Sequence, residues 1–233
     1  EQLPRERRGG LTLAGEEYIR EFFVRIDRDV EFLAKSGPVQ DMLAALAAGD
    51  GAPSDAAETA RAQAQRMFLA YTVSRPAIYQ ARVIDARTGE ELVRIQRDAY
   101  TGTFQPARLQ NKQHRDYFAE ILRQPPGKPY ISAINLNRED EAVEIPFRPT
   151  VRVGRAVGDA NGEHSLIVLV NVGFRHLVFR LAQLYGDSAS LMLFNADGQV
   201  LSHPDPGLEF DFDKPSPGSA PQTGTTLQGL FGP

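Results

Sequence analysis

The chain has 233 residues, 42% of them hydrophobic and 24% charged, with a net charge of -4 at pH 7. That length suffices for one large domain or two small ones, each burying a core, and the mildly acidic balance excludes a nucleic-acid binder recognised by its overall basic charge. Cysteine is absent, which excludes disulfides and thiolate metal sites.

The first part reads as helical. Tyr18, Ile19, Phe22, Phe23, Ile26, Val30 and Leu33 recur at spacings of three and four with charges between them, the pattern of an amphipathic helix with one buried stripe. The helix is expected to start near Leu13-Ala14-Gly15 and to reach Ala34, where Gly37-Pro38 breaks it. A short helical piece follows over Val39 to Ala48. Ser54 is a plausible N-cap for a further helix over Ala56 to Tyr71.

From Pro76 the period changes. Ile78 to Ile84 and Glu91 to Arg97 read as two strands of a hairpin turning at Asp85-Ala86-Arg87-Thr88-Gly89. Asn111 to Arg123 is expected as a short helix closed by Pro125-Pro126-Gly127. Tyr130 to Leu136, Thr150 to Val157 and Ser165 to Val172 read as three more strands, the last two joined by a turn at Asp159-Ala160-Asn161-Gly162. Hairpin connections make the sheet antiparallel, so the fold class is α+β rather than doubly wound.

A second, smaller α+β unit begins near Phe174. Its helix runs from Phe174 to Leu184, and its hairpin pairs Ser190 to Asn195 with Val200 to Ser202 across Asp197-Gly198. This turn echoes the one at Asp85 to Gly89, so the two units read as copies of one sheet module. The chain past Pro206 is rich in Pro, Gly, Ser and Thr and reads as loop or disorder. No apolar run approaches the ~20 residues of a membrane span. No signal peptide is visible, and both ends read as cuts in a longer protein.

Catalytic motifs fail. There is no G-x-x-x-x-G-K-[ST], G-x-G-x-x-G or G-x-S-x-G. His114, His164, His176 and His203 do not fall at zinc-hydrolase spacing. Glu90/Glu91 and Asp211/Asp213 are the available carboxylate pairs, and such pairs are common on turns and tails. The segment that stands out is Lys112-Gln113-His114-Arg115-Asp116-Tyr117-Phe118. On a helix, Lys112, Arg115 and Phe118 share a face. Arg115 offers a fork for a carboxylate, and Tyr117 a hydroxyl and an apolar ring. The competing reading pairs Arg115 with a nearby acid and uses Tyr117-Phe118 to anchor the helix on the sheet. Tyr130 and Ser132 share one side of their strand. Arg82 and Arg94 read as structural partners of Asp85, Glu91 or Glu144, and Arg152 as a pocket residue.

The order of these elements resembles the double Cache (tandem PDC, PAS-like) sensor domain of bacterial histidine kinases, chemoreceptors and cyclic-di-GMP enzymes. The similar stretches are Tyr79 to Asp85 with Gly89 to Arg94, Lys112-x-x-Arg115-x-Tyr117-Phe118, Tyr130-Ile131-Ser132, Pro146-x-x-Pro149-x-x-Arg152, and Leu193 to Pro204. The resemblance implies a long N-terminal helical segment (1–50), a membrane-distal module (51–173) and an incomplete membrane-proximal module (174–233), each module an antiparallel sheet flanked by helices. It implies an extracytoplasmic ligand-sensing domain of an inner-membrane receptor, foremost a sensor histidine kinase, with flanking transmembrane helices and a homodimer in the full receptor. The domain itself would not be an enzyme and would carry no cofactor or metal.

In family members that bind amino acids, an Arg-x-aromatic-aromatic segment holds the ligand carboxylate. Arg115, Tyr117 and Phe118 match it, with Tyr for the usual Trp and Phe for Tyr. The aspartate that holds the ammonium is matched by Asn171, a neutral side chain that cannot form an ion pair. The implied ligand is therefore a small organic anion or polar metabolite rather than an α-amino acid. The expected ligand-binding set is Arg115, Tyr117, Phe118, Lys112, Tyr130, Ser132, Arg152 and Asn171. The alternative is a protein-interaction or dimerisation module with no small ligand.

Overall fold

A computed structural model describes residues 5–48, 54–97, 101–139, 142–159, 161–186 and 191–215, with side chains from residue 13 onward. Helix α1 spans Arg5–Ala34, α2 Gly37–Ala48 and α3 Asp55–Val73. The start of α1 lies earlier than expected. Its apolar stripe begins only at Tyr18, and periodicity cannot detect a helical turn that carries no stripe. The break falls at Lys35-Ser36, where the Ser36 hydroxyl donates to the Leu33 carbonyl at 2.6 Å. Ser54 caps α3, its side chain accepting from the Ala57 N–H at 3.1 Å.

Strands β1 (Ile78–Asp85), β2 (Glu91–Arg97), β3 (Phe104–Pro106), β4 (Tyr130–Ile131), β5 (Asn135–Leu136), β8 (Pro149–Gly158) and β9 (His164–Gly173) form a seven-stranded sheet. Its order is β3-β2-β1-β9-β8-β4, with β5 also paired to β8. A two-stranded ribbon, β6 (Arg138–Glu139) with β7 (Ala142–Val143), lies between β5 and β8 in the chain. Helix α4 (Asp116–Leu122) falls between β3 and β4, and α5 (Phe174–Tyr185) follows β9. A final hairpin joins β10 (Leu193–Phe194) to β11 (Val200–Ser202), and a 3₁₀ turn covers Pro206–Leu208.

The mixed helix and antiparallel-sheet class is as expected. Four features differ. The strand expected over Tyr130 to Leu136 is two short pieces. The helix expected from Asn111 begins at Asp116. Strand β3 and the β6–β7 ribbon were not expected. The strand pieces are two or three residues long, too short for a period to register.

The two Gly-containing hairpin turns share their chemistry. Asp85 Oδ1 accepts from the Arg87 and Thr88 N–H groups, and Asn195 Oδ1 accepts from those of Asp197 and Gln199. Gly89 and Gly198 close them at positive φ, +76° and +77°, where a side chain is strained.

Contacts divide the chain into two compact units. One comprises Val24–Ser132 and Arg152–Val172, the other Glu1–Phe23, Ala133–Val151 and Gly173–Pro233. The unit containing β1 holds most of the sheet. Its strands alternate between two faces. Ala81, Val83, Val93, Ile95, Val153, Val168 and Val170 point to one face and are fully buried, and α3 packs against β1, β2 and β3. Arg155 fastens the second half of α1 to β8, donating to both Asp27 oxygens at 2.9 and 2.6 Å. Arg75, just past α3, likewise donates to Asp29 at 2.6 and 3.1 Å.

In the other unit, Asp213 accepts from the Leu136 N–H at 2.6 Å and pairs with Arg138. These contacts gather 133–151 with the C-terminal residues, a partition that only long-range pairing reveals. Phe210 packs edge-on against Phe174 at 6.1 Å.

Candidate functional site

The opposite face of the sheet carries the candidate site, within the unit that holds β1. Helix α4 covers part of it. Tyr117, Phe118, Ile121 and Tyr130 pack with Ile84, Ala156, Ile167 and Leu169 into one buried cluster. Gly154 makes this close approach possible. A Cβ there would lie 2.6 Å from Leu169 Cδ1, 3.0 Å from the Val168 carbonyl and 3.4 Å from Ile121 Cδ1.

Beyond this apolar cluster the same face becomes polar. Arg82 lies opposite Arg94 on β2 and Leu169 on β9, and Gln80 lies opposite Gln96 and Asn171. The register shifts at the Ile78–Gln80 step, and both Tyr79 and Gln80 meet Asn171. Asn171, 1% exposed, donates to the Tyr79 hydroxyl at 3.2 Å and to Gln80 Oε1 at 2.9 Å. Its Oδ1 accepts from Arg82 at 2.6 Å. Arg82 also donates to the Tyr117 hydroxyl at 3.0 Å. The Tyr117 ring has two guanidinium neighbours, Arg82 at 5.4 Å and Arg152 at 5.3 Å from its centroid, within cation–π range.

Glu91 is the buried carboxylate of this network. It pairs with Arg82 at 3.5 Å and with Arg94 at 3.4 Å, and its Oε2 accepts from the Gln110 N–H at 3.0 Å. Arg152 is pushed below the ordinary guanidinium value, chiefly by burial; Tyr79 and Tyr117 oppose the shift, while the Arg82 and Arg115 charges add to it. Its backbone is held by Ser132, whose Oγ accepts from the Arg152 N–H at 2.9 Å and whose own N–H donates to the Arg152 carbonyl at 2.9 Å. Burial, then the hydrogen bond to Glu120, push the Tyr130 phenol above its ordinary value, so it remains a proton donor.

Lys112 and Arg115 are not on the helix. The Asn111–Lys112 backbone is engaged by the β1–β2 hairpin: Asn111 bridges to Glu90, and the Lys112 N–H donates to the Gly89 carbonyl at 2.7 Å. Arg115 is therefore an extended N-cap residue, with φ -85° and ψ 136°. The expected helical face through Lys112, Arg115 and Phe118 does not form. Lys112 is buried and bonds Gln110. Arg115 is half-buried, and among the described residues its guanidinium makes no hydrogen bond or ion pair.

Of the expected residues, Tyr117, Arg152 and Asn171 gather around Arg82, and the Arg115 charge acts on Arg152. Phe118 and Tyr130 belong to the apolar cluster, and Ser132 supports Arg152. Arg82, expected as a structural partner of an acid, does pair with Glu91 but also links Asn171 to Tyr117. Its signal was available: with Gln80 it places two polar side chains on one face of a strand buried along its whole length.

The loop carrying Arg115 depends on Gly89. A Cβ at Gly89 would lie 2.6 Å from both the N and the Cβ of Gln113. Gly89→Ala is expected to lose at least ~1–2 kcal/mol from the left-handed backbone alone and to displace the loop. Urea denaturation together with amide exchange at 111–115 measures both effects.

A separate concavity of about 150 Å³ lies in the other unit, lined by Pro149, Phe174, Val178, Phe179, Leu201 and Phe210 with the Arg175–Glu209 ion pair at its edge. Its one cation is already neutralised, which makes it a poor anion site.

No protein-family model and no curated protein matches the chain. Solved structures do. A domain of a sensory box/GGDEF family protein from Vibrio parahaemolyticus matches with a TM-score of 0.74 at 20% identity, over 88% of this chain and 73% of that one. The extracellular domain of the histidine kinase vpHK1S-Z8 matches at 0.72 and 22%, over 88% and 70%. The chain has the fold of a Cache/PDC sensor domain. The ligand-binding domain of the Campylobacter jejuni chemoreceptor Tlp3, solved with 4-methylisoleucine, matches at a TM-score of 0.60 and 12% identity, over 87% and 70%. At these identities the likeness is one of fold. Among the described residues no helix is long and apolar enough to cross a membrane.

Proposed function

We propose that this chain is the extracytoplasmic sensing domain of a transmembrane receptor, foremost a histidine kinase, and that it binds a small organic anion beside Arg115, Tyr117 and Arg152. The observation that carries this is Arg115. It is a half-buried guanidinium with no carboxylate partner among the described residues, close enough to the buried Arg152 for the two charges to act on each other. Such a guanidinium offers a planar fork to a carboxylate. The site would lie in the module proposed as membrane-distal, over 51–173, with 174–233 as the proximal module.

Strand β8 offers a route for the signal. Arg152 sits on the ligand face, while Arg155, three residues on, points to the other face and grips Asp27 of α1. An anion that shifts β8 would bias α1 toward one of two positions, provided it binds those positions with different affinity. In the full receptor α1 would lead to a transmembrane helix and pair with a second copy. Val24 and Phe32 on α1, 39% and 66% exposed, favour such a helix-to-helix contact.

A thermal-shift screen against a metabolite library tests the reading. Hits are expected to be predominantly anionic, raising the melting temperature in a dose-dependent way. A library in which only cationic compounds stabilise the domain, or none does, would favour an interaction module without a small-molecule ligand. Asn171 already meets three partners from its own chain, which is the feature that keeps that second reading in view.

A further inference from the structure

We propose that Arg155 is a coupling residue: one guanidinium ties α1 to the turn that closes α4, so that loosening either attachment loosens the other. The inference does not rest on the ligand reading. It concerns how α4 and the part of α1 from Val24 onward, which belong to one unit, are joined.

Arg155 lies on β8 between Gly154 and Ala156. Gly154 and Ala156 face α4, where they meet Ile121 and the apolar cluster, so by strand alternation Arg155 leaves the sheet on the other face. There its Nε and Nη2 donate to the two Asp27 oxygens at 2.9 and 2.6 Å, and Nη2 lies 3.6 Å from Glu31. Its third nitrogen, Nη1, donates to the Gly127 carbonyl. Strand β4, which starts three residues after Gly127, is the last in the sheet order. The contact to Gly127 therefore wraps around the edge of the sheet.

The turn follows α4 directly: the helix ends at Leu122, and the Gln124 N–H still donates to the Ile121 carbonyl at 3.0 Å. Pro125 and Pro126 have no N–H to give, so the hydrogen bonds from the turn to β8 are made at Gly127. Its N–H donates to the Ala156 carbonyl at 2.9 Å, and its carbonyl accepts from Arg155. A guanidinium is planar, with its donors in a fixed fork. A shift of Asp27 that turns the fork therefore withdraws Nη1 from Gly127. The Arg155 side chain is 11% exposed and that of Asp27 21%, so salt screens this pair less than one on the open surface. The Arg75–Asp29 pair is the natural comparison. It also holds α1, but the described partners of the Arg75 guanidinium are Asp29 and the Tyr71 ring.

Native-state amide exchange on the whole domain tests this, with Asp27→Asn, Asp29→Asn and Arg155→Lys. Asp27→Asn changes nothing in the turn itself, yet exchange of the Gly127 N–H is expected to rise roughly tenfold or more. Arg155→Lys keeps the charge but not the fork, and is expected to raise exchange at Gly127 as Asp27→Asn does. Asp29→Asn is expected to raise exchange along α1 and to leave Gly127 at the wild-type rate. The amides from Val168 to Val170 in β9 report global opening and are expected to stay unchanged in all three. A wild-type rate at Gly127 in Asp27→Asn or in Arg155→Lys, an equal rise in β9, or an equal rise at Gly127 in Asp29→Asn would each overturn the inference.

Discussion

Replacing Glu91 with Ala is expected to remove about 3–5 kcal/mol of stability, the cost of leaving buried charge unpaired. Glu91 is wholly buried and stands between Arg82 and Arg94, whose side chains are 3% and 4% exposed. Neither guanidinium can lose its proton to escape, and neither can reach water without opening the sheet. The same carboxylate accepts from the Gln110 N–H at 3.0 Å, so its removal also loosens the loop that presents Arg115. Glu91→Gln keeps an acceptor for that N–H and should fall between Ala and wild type. The urea midpoint followed by circular dichroism measures the series. A wild-type midpoint for Glu91→Ala would mean that the network is not load-sharing in the way its geometry indicates.

Phe118→Ala should cost a similar amount, about 3–5 kcal/mol, by leaving a cavity in the cluster under α4. Phe118 is 5% exposed among Ile84, Ile121, Ile167 and Leu169. Tyr117→Phe, one residue away, is expected to cost less, about 1.5–3 kcal/mol at most, because it keeps the ring between the two guanidiniums and loses only the hydrogen bond to a charged group, Arg82. Thermal denaturation separates the two. If Phe118→Ala were as stable as wild type yet lost ligand, Phe118 would line the pocket rather than anchor the helix.

These two residues show what the sequence discloses and what it withholds. The β1–β2 hairpin, the long strands β8 and β9 and helix α5 were legible because their periods persist over seven or more residues and Asx-Gly turns punctuate them. Helix α4 starts five residues later than its pattern predicts, at Asp116 rather than Asn111. The amphipathic pattern through Lys112 and Arg115 is genuine as a pattern, but the backbone there is used by Glu90 and Gly89 of the hairpin. A tertiary contact outcompeted local propensity, and no window of sequence contains both partners.

The candidate site was legible in part for the same reason. Tyr117, Arg152 and Asn171 lie far apart in the chain yet sit around one side chain. That side chain, Arg82, was assigned a structural role because pairing with Glu91 is the ordinary fate of a buried arginine. The structure shows the ion pair and, from the same guanidinium, the bonds to Asn171 and Tyr117. The grouping of 133–151 with Asp213 was out of reach, since it depends on contacts 75 and 77 residues apart.

The most direct test of the account is a calorimetric titration of wild type and Arg115→Ala with the tightest-binding anion from the screen. Arg115 makes no side-chain hydrogen bond within the described residues, so its loss should leave the urea midpoint near the wild-type value. Losing a charge-assisted contact to the ligand should raise Kd by roughly tenfold or more. An unchanged Kd for Arg115→Ala would contradict the account and move the site away from the N-terminal end of α4.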